Sequence, residues 1–117
     1  MSRNLPYSRA DRIAKQVYQV VASYFYENVD DERLGGLQIT GVKMTKDLSI
    51  ARVYYYIAGD KDRQKKALEA LEEIRHALKH LIGQELVLKM IPQIEYHLDE
   101  GVVNAERVEE LLKQINK

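Results

Sequence analysis

The sequence predicts an α+β domain in which helices cover one face of a small three-stranded sheet, in the order α-β-β-α-β with a short helix appended. Three observations lead there. Two strand-like runs, Gln38 to Thr45 and Ile50 to Ile57, are separated only by Lys46-Asp47-Leu48-Ser49. Long helical patterns lie before and after that pair, and a third strand-like run, ELVLKMIPQIEYHLD, closes the order. A domain of this kind leaves the other sheet face open and has no room for an enclosed active site, so function is expected on the surface.

The first helix is expected over Ala10 to Asn28. Ser8 and Asp11 stand as N-cap and third helical residue. Ile13, Val17, Val20, Val21 and Tyr24 recur along one side, with Arg12, Lys15, Gln16 and Gln19 on the wet side. VDDERLGG then supplies turn residues and two glycines free to take positive φ. In the first strand Leu37 and Ile39 share one parity and Val42 and Met44 the other, a change of phase that a β-bulge at Gly41 would repair. The second strand sends Ala51, Val53, Tyr55 and Ile57 to one face and Arg52, Tyr54 and Tyr56 to the other. GDKDRQKK opens a second helix with apolar Ala67, Leu71, Ile74, Leu78, Leu81 and Ile82, and Gly83 is expected to stop it. In the third strand Leu86, Leu88, Met90, Ile94, Tyr96 and Leu98 share parity. Pro92, which has no N–H to donate, marks an edge strand or a bulge. After Gly101, Asn104 is expected to cap a short acidic helix with Val108, Leu111, Leu112 and Ile115 on one side.

At 117 residues and 45% hydrophobic, the chain has material for one core, hence one domain over 1-117, with 1-8 as a flexible arm and 102-117 as a helical tail. The absence of cysteine excludes a disulfide framework, a thiolate zinc site and a cysteine nucleophile, and suits a reducing cytoplasm. MSRNLPYS has no apolar stretch for a signal peptide, and no run approaches membrane-spanning length. A soluble, cytoplasmic protein is expected. Net charge is zero, 18 basic against 18 acidic residues, yet the charges are segregated. Arg3, Arg9, Arg12 and Lys15 crowd the start, and a second basic set runs from Lys43 to Lys66. Acids gather at Glu27 to Glu32, Glu69 to Glu73 and Glu95 to Glu110. A neutral chain with such a dipole can still bind a polyanion at its basic pole.

Chemistry has little to work with. Neither G-x-x-x-x-G-K-[ST] nor G-x-S-x-G occurs, and His76 and His80 have the spacing of helical zinc ligands without the glutamate that a zincin places after the first histidine. No catalysis, metal or cofactor is expected. Arg75, His76, Lys79 and His80 form a stripe beside the apolar side of the second helix. It reads either as a solvated face or as a phosphate-contacting ridge. Arg52, Tyr54 and Tyr56 would make a base-stacking platform, although tyrosine is also a good strand former. Lys61, Arg63, Lys65 and Lys66 are either RNA-facing or a solvated first turn.

Four segments in order resemble the bacterial ribosome-binding factor A family: Arg12-Ile13-Ala14, Asp31-Glu32-Arg33-Leu34, the strand-turn-strand from Val42 to Tyr54, and Leu88 to Tyr96 ending in Asp99. The resemblance covers almost the whole chain. It implies a type II KH-like fold and a non-enzymatic factor that binds the small ribosomal subunit and its rRNA, as a free or immature particle, and assists late maturation, including at low growth temperature. It implies neither membrane nor small-molecule substrate, and a monomer. On that reading the RNA-contacting set is Arg3, Arg9, Arg12, Lys15, Lys46, Arg75, His76, Lys79, His80 and Lys89. Two departures stand out: Glu32 replaces the proline of the family's Asp-Pro-Arg-Leu, and Ile74-Arg75-His76 occupies the place of its Ala-x-Gly kink, which allows a long unbroken helix. Two alternatives are a protein-interaction module built on the acidic C-terminal helix and a general single-stranded RNA-binding KH domain. The missing Gly-x-x-Gly turn weighs against the latter, and the basic segments weigh against the former as a sole role.

Overall fold

The central strand decides the layering, because its alternate residues are dry on one side only. In the computed structural model, which describes residues 8–28 and 30–115, Ala51, Val53, Tyr55 and Ile57 are buried, whereas Arg52, Tyr54 and Tyr56 are not. Strands β1 (Gln38–Met44), β2 (Ile50–Tyr56) and β3 (Gln93–Leu98) form one sheet in the order β1-β2-β3. Helices α1 (Arg9–Asn28) and α2 (Lys61–Glu85) cover the dry face, and α3 (Glu100–Ile115) follows β3. Val17 and Val21 of α1 and Leu78 and Ile82 of α2 meet Ala51, Val53 and Ile94 of the sheet. Farther along, Ala67, Ala70 and Leu71 pack on Tyr55, Ile57 and Leu34. The α+β class and the α-β-β-α-β order expected from the sequence both hold.

Local chemistry sets the boundaries. The Asp11 N–H donates to Ser8 Oγ at 3.1 Å and the Ser8 N–H donates to Asp11 Oδ2 at 3.2 Å, a reciprocal capping box. Ser8 therefore caps the helix, and α1 begins at Arg9. The phase change in β1 is a bulge: Ile39 pairs with Tyr55 and Gly41 with Tyr54, which leaves Thr40 as the extra residue. β1 and β2 run antiparallel, joined by a tight turn, whereas β2 and β3 run parallel, with α2 as the crossover.

Three expectations are corrected. Gly83 does not stop α2, which continues to Glu85 and ends where the Leu86 N–H donates to the Ile82 carbonyl at 3.0 Å. The glycine makes room instead, since a Cβ there would lie 2.6 Å from Ile91 Cδ1. The third strand is shorter than its apolar alternation suggests. Residues 86–92 form a loop in which Leu86 and Leu88 turn inward while Met90 is 70% exposed. Pro92 is buried just ahead of β3, where a missing N–H breaks no ladder bond, and β3 is an edge strand as the proline indicated. Asn104 does not cap the last helix. Asp99 does, its Oδ1 accepting from the N–H groups of Gly101 at 3.0 Å and Val102 at 3.3 Å. Finally, α2 runs as one helix of 25 residues through Ile74-Arg75-His76.

Val53 has no exposed surface at the middle of β2. Val53→Ala is expected to lower the unfolding free energy by about 1 to 3 kcal/mol through lost burial and a cavity, and Lys43→Ala on the wet face by much less. Urea titrations giving the reverse order would contradict this layering.

Candidate nucleic-acid interface

Topology carries several basic residues to one end of the sheet. The first turns of α1, at Asp11, Ala14 and Lys15, lie beside Val42, Lys43 and Met44 at the end of β1. The last turns, at Ala22, Phe25 and Tyr26, lie beside Leu37 and Ile39, so α1 runs antiparallel to β1. The crossover α2 returns to the same end, where Leu81, Glu85 and Val87 line a groove with Arg9 and Ile13. Loop 86–92 then closes on the β1–β2 turn, because the Gln93 N–H donates to the Ser49 carbonyl at 2.9 Å. Arg9, Arg12, Lys15, Lys46 and Lys89, separated in sequence, thus share one end of the molecule. All five are exposed, and none has an ion-pair partner among the described residues. Arg3 lies outside the described residues.

The turn that carries Lys46 is rigid. Asp47 Oδ1 accepts from the Thr45 hydroxyl at 2.8 Å, the Ser49 hydroxyl at 2.7 Å and the Ser49 N–H at 3.0 Å. The Ile50 N–H donates to Thr45 Oγ1 at 3.1 Å. These bonds, Ser49 foremost, hold the Asp47 carboxyl at about 2. They also support Leu48 in the left-handed region, at a φ of 63°. The signal was present in the sequence as hydroxyl residues two positions either side of an aspartate.

The α2 stripe divides. His76 and His80 are exposed and Lys79 is half-buried. Arg75 is not the solvated member that the spacing suggests. Its Nε and Nη2 donate to the two Glu72 carboxylate oxygens at 2.7 and 2.6 Å, its Nη1 donates to the Ile94 carbonyl, and its guanidinium lies 5.2 Å from the Tyr96 ring centroid. It therefore ties α2 to β3. Helical spacing gave the side of the helix correctly but not the depth. Beneath it, burial pushes the Tyr96 hydroxyl far above its usual pKa.

The acids take the opposite end. Asp30, Asp31 and Glu32 precede β1, Asp60 and Asp62 follow β2, and Asp99 and Glu100 follow β3. Arg33 is clamped there between Asp31 at 2.7 Å and Glu73 at 2.8 Å, which raises its pKa and lowers those of both carboxyls. The Lys61 to Lys66 cluster also falls at this end, partly neutralised by the Lys66–Asp62 pair at 3.2 Å and by the Arg63 bond to the Gly35 carbonyl.

The open sheet face is not a bare stacking platform. Tyr54 stacks on His97 with centroids 5.5 Å apart, Lys43 lies 5.7 Å over the Tyr54 ring, and Arg52 pairs with Glu95 at 3.3 Å. The hydrogen bond from His97, with help from Arg52, lowers the Glu95 carboxyl pKa. Among the described residues no group of three or more His, Cys, Asp or Glu side chains is placed to hold a metal ion, and no helix is long and apolar enough to cross a membrane.

A family model described as Ribosome-binding factor A matches residues 9–112. A ribosome-binding factor A from Desulfatibacillum aliphaticivorans is 36% identical over 107 residues, which span 92% of this chain and 87% of the relative. The crystal structure of ribosome-binding factor A from Thermus thermophilus is similar with a TM-score of 0.67 at 21% identity, covering 76% of this chain and 93% of that one. A Thermus thermophilus homology model fitted into a cryo-EM map of a 30S–RbfA complex is similar with a TM-score of 0.62 at 22% identity, covering 77% and 93%. The shared architecture agrees with the KH-like fold expected from the sequence.

Two outcomes follow from the geometry. Arg75→Ala is expected to destabilise the fold by about 1 to 2 kcal/mol through loss of the Glu72, Ile94 and Tyr96 contacts, whereas Lys79→Ala should stay within about 0.5 kcal/mol; thermal melts of the two variants separate a tie from a wet face. The Asp47 carboxyl lies below its unfolded value of about 4, so its contribution to stability is complete above that pH and disappears as pH falls toward 2. The stability gap between wild type and Asp47→Ala should therefore be constant from pH 7 to about 4 and narrow below it, as urea titrations at four pH values would show. A gap that does not change with pH would rule out the carboxylate as the lock.

Proposed function

The chain belongs to the ribosome-binding factor A family, and on that footing we propose that it binds the free or immature small ribosomal subunit and assists late maturation of its rRNA in the cytoplasm. It does so as a monomer, without catalysis, and the need for it grows at low growth temperature. The observation that carries the RNA contact is the gathering of Arg9, Arg12, Lys15, Lys46 and Lys89 at one end of a neutral chain, each free of an acidic partner among the described residues. Phosphate neutralisation by such groups releases counterions and supplies most of a sequence-independent affinity. The small subunit is the partner because a relative's model was fitted into a 30S complex. His76, Lys79 and His80 flank this end and extend the contact along α2.

A second surface favours an additional protein contact. Helix α3 touches the domain through half-buried Val102 and Val103 and through Glu106, which accepts from the Tyr56 hydroxyl. Nine residues on, at 100° per residue, Ile115 points the opposite way. Val108, Leu111, Leu112 and Ile115 on that outer side are all more than half exposed. With Glu109 beside it, the stripe suits an apolar groove on a protein rather than RNA.

Co-sedimentation tests the main reading. The protein is expected to travel with free small subunits in preference to large subunits and to assembled ribosomes, and Arg9→Ala with Lys46→Ala should weaken that binding most at low salt. Equal sedimentation with all three particles would remove the functional assignment and leave the fold untouched.

A further inference from the structure

Loop 86–92 stands out because it shows solvent what a soluble domain ordinarily hides. Val87 is fully exposed and Met90 is 70% exposed, at the same end of the molecule as the free basic groups. Neither side chain contributes to the core. The loop that carries them is nevertheless anchored at both ends. Leu86 and Leu88 turn inward onto the main core, Pro92 is buried, and Ile91 lies across the α2 backbone in the space left by Gly83. The Gln93 N–H ties its far end to the Asp47-locked turn. Four residues hold the loop, and Val87, Lys89 and Met90 are left to project.

Resting on the small-subunit reading above, we propose that this loop is a preformed probe for unpaired rRNA, with Val87 and Met90 packing against unstacked bases while Lys89 between them meets the backbone phosphate. Three features favour RNA over a protein partner. A lysine sits between the two apolar side chains, Arg9 lines the same groove as Val87 beside the acids Glu85 and, at the far end of α1, Glu27, and Lys46 lies in the turn to which the Gln93 N–H ties the loop. Paired RNA hides its base faces in the stack, so apolar contacts of this kind select loops, bulges and ends. The basic residues fix the protein on the backbone, and the loop supplies the preference for unpaired sites.

Salt separates the two contributions. Binding of the full chain is measured at four salt concentrations to free small subunits, to deproteinised small-subunit rRNA, and to a hairpin with an unpaired loop against a fully paired duplex of equal length. Val87→Ser with Met90→Ser is expected to weaken binding to subunits and rRNA about tenfold or more at every salt without changing the slope, since no phosphate contact is lost. It should also erase the preference for the unpaired hairpin and leave the melting temperature unaltered. Lys89→Ala should instead flatten the slope by about 0.7 to 0.9, and Val87→Ile with Met90→Leu should bind like wild type. Wild-type affinity in the double serine variant would overturn the proposal, and so would a loss seen with subunits but not with deproteinised rRNA, which would place a ribosomal protein against the loop. A wild-type protein that binds no small subunit, yet prefers the unpaired hairpin through Val87 and Met90, would sink the assembly reading and keep the probe.

Discussion

Val53 lies at the middle of the central strand with no exposed surface, and most of the architecture follows from keeping that side of β2 dry. A strand flanked on both sides by partners has all its ladder bonds satisfied, but its apolar face needs a cover that three strands alone cannot provide. α1 and α2 supply it through Val17, Val21, Leu78 and Ile82. Because β3 is parallel to β2, the chain must return the full length of the sheet between them, and α2 is that return. The crossover therefore ends where β2 began, beside the β1–β2 turn and the start of α1. A packing requirement at Val53 thus fixes which charged residues become neighbours at the far end of the molecule.

That geometry also explains how a chain of zero net charge presents a basic surface. Seven residues of strand span about 23 Å, more than two Debye lengths at physiological salt, each about 8 Å. Acids beyond the C-terminal end of β2 and β3 are consequently screened from phosphates approaching the other end. Where opposite charges do lie close, they are mostly engaged: Arg33 with Asp31 and Glu73, Arg75 with Glu72, Arg52 with Glu95. Two acids at the basic end are tied into the backbone, Asp11 in the helix cap and Asp47 in the turn. They keep their charge but serve local structure.

How much of this could be read from sequence depended on whether the determining interaction was local. The two faces of β2, the Ser8–Asp11 cap and the bulge at Thr40-Gly41 were legible because strand parity, cap chemistry and a phase slip are all written within a few residues. Gly83 was misread because its reason lies eight residues away in Ile91, a contact that no helix-ending rule contains. Leu86 and Leu88 imitate a strand because both ends of an anchored loop turn apolar residues inward. Arg75 lies on the side that helical spacing assigns, yet the β3 carbonyl that draws it inward comes from another element. The basic residues themselves were all visible. Which of them converge depends on the parallel pairing of β3, a long-range choice that composition does not record.

The two segments presenting cations at that end, the β1–β2 turn and loop 86–92, are both held by interactions that stay intact without a ligand. Asp47 closes three hydrogen bonds inside the turn, and Gly83, Leu86 and Pro92 fix the loop. A surface ordered in advance loses little conformational entropy on binding, so more of its contact energy appears as affinity. The ordering cost then falls on the partner. A rigid surface of this kind stabilises only those partner conformations that match it, so its binding energy shifts a flexible partner toward them.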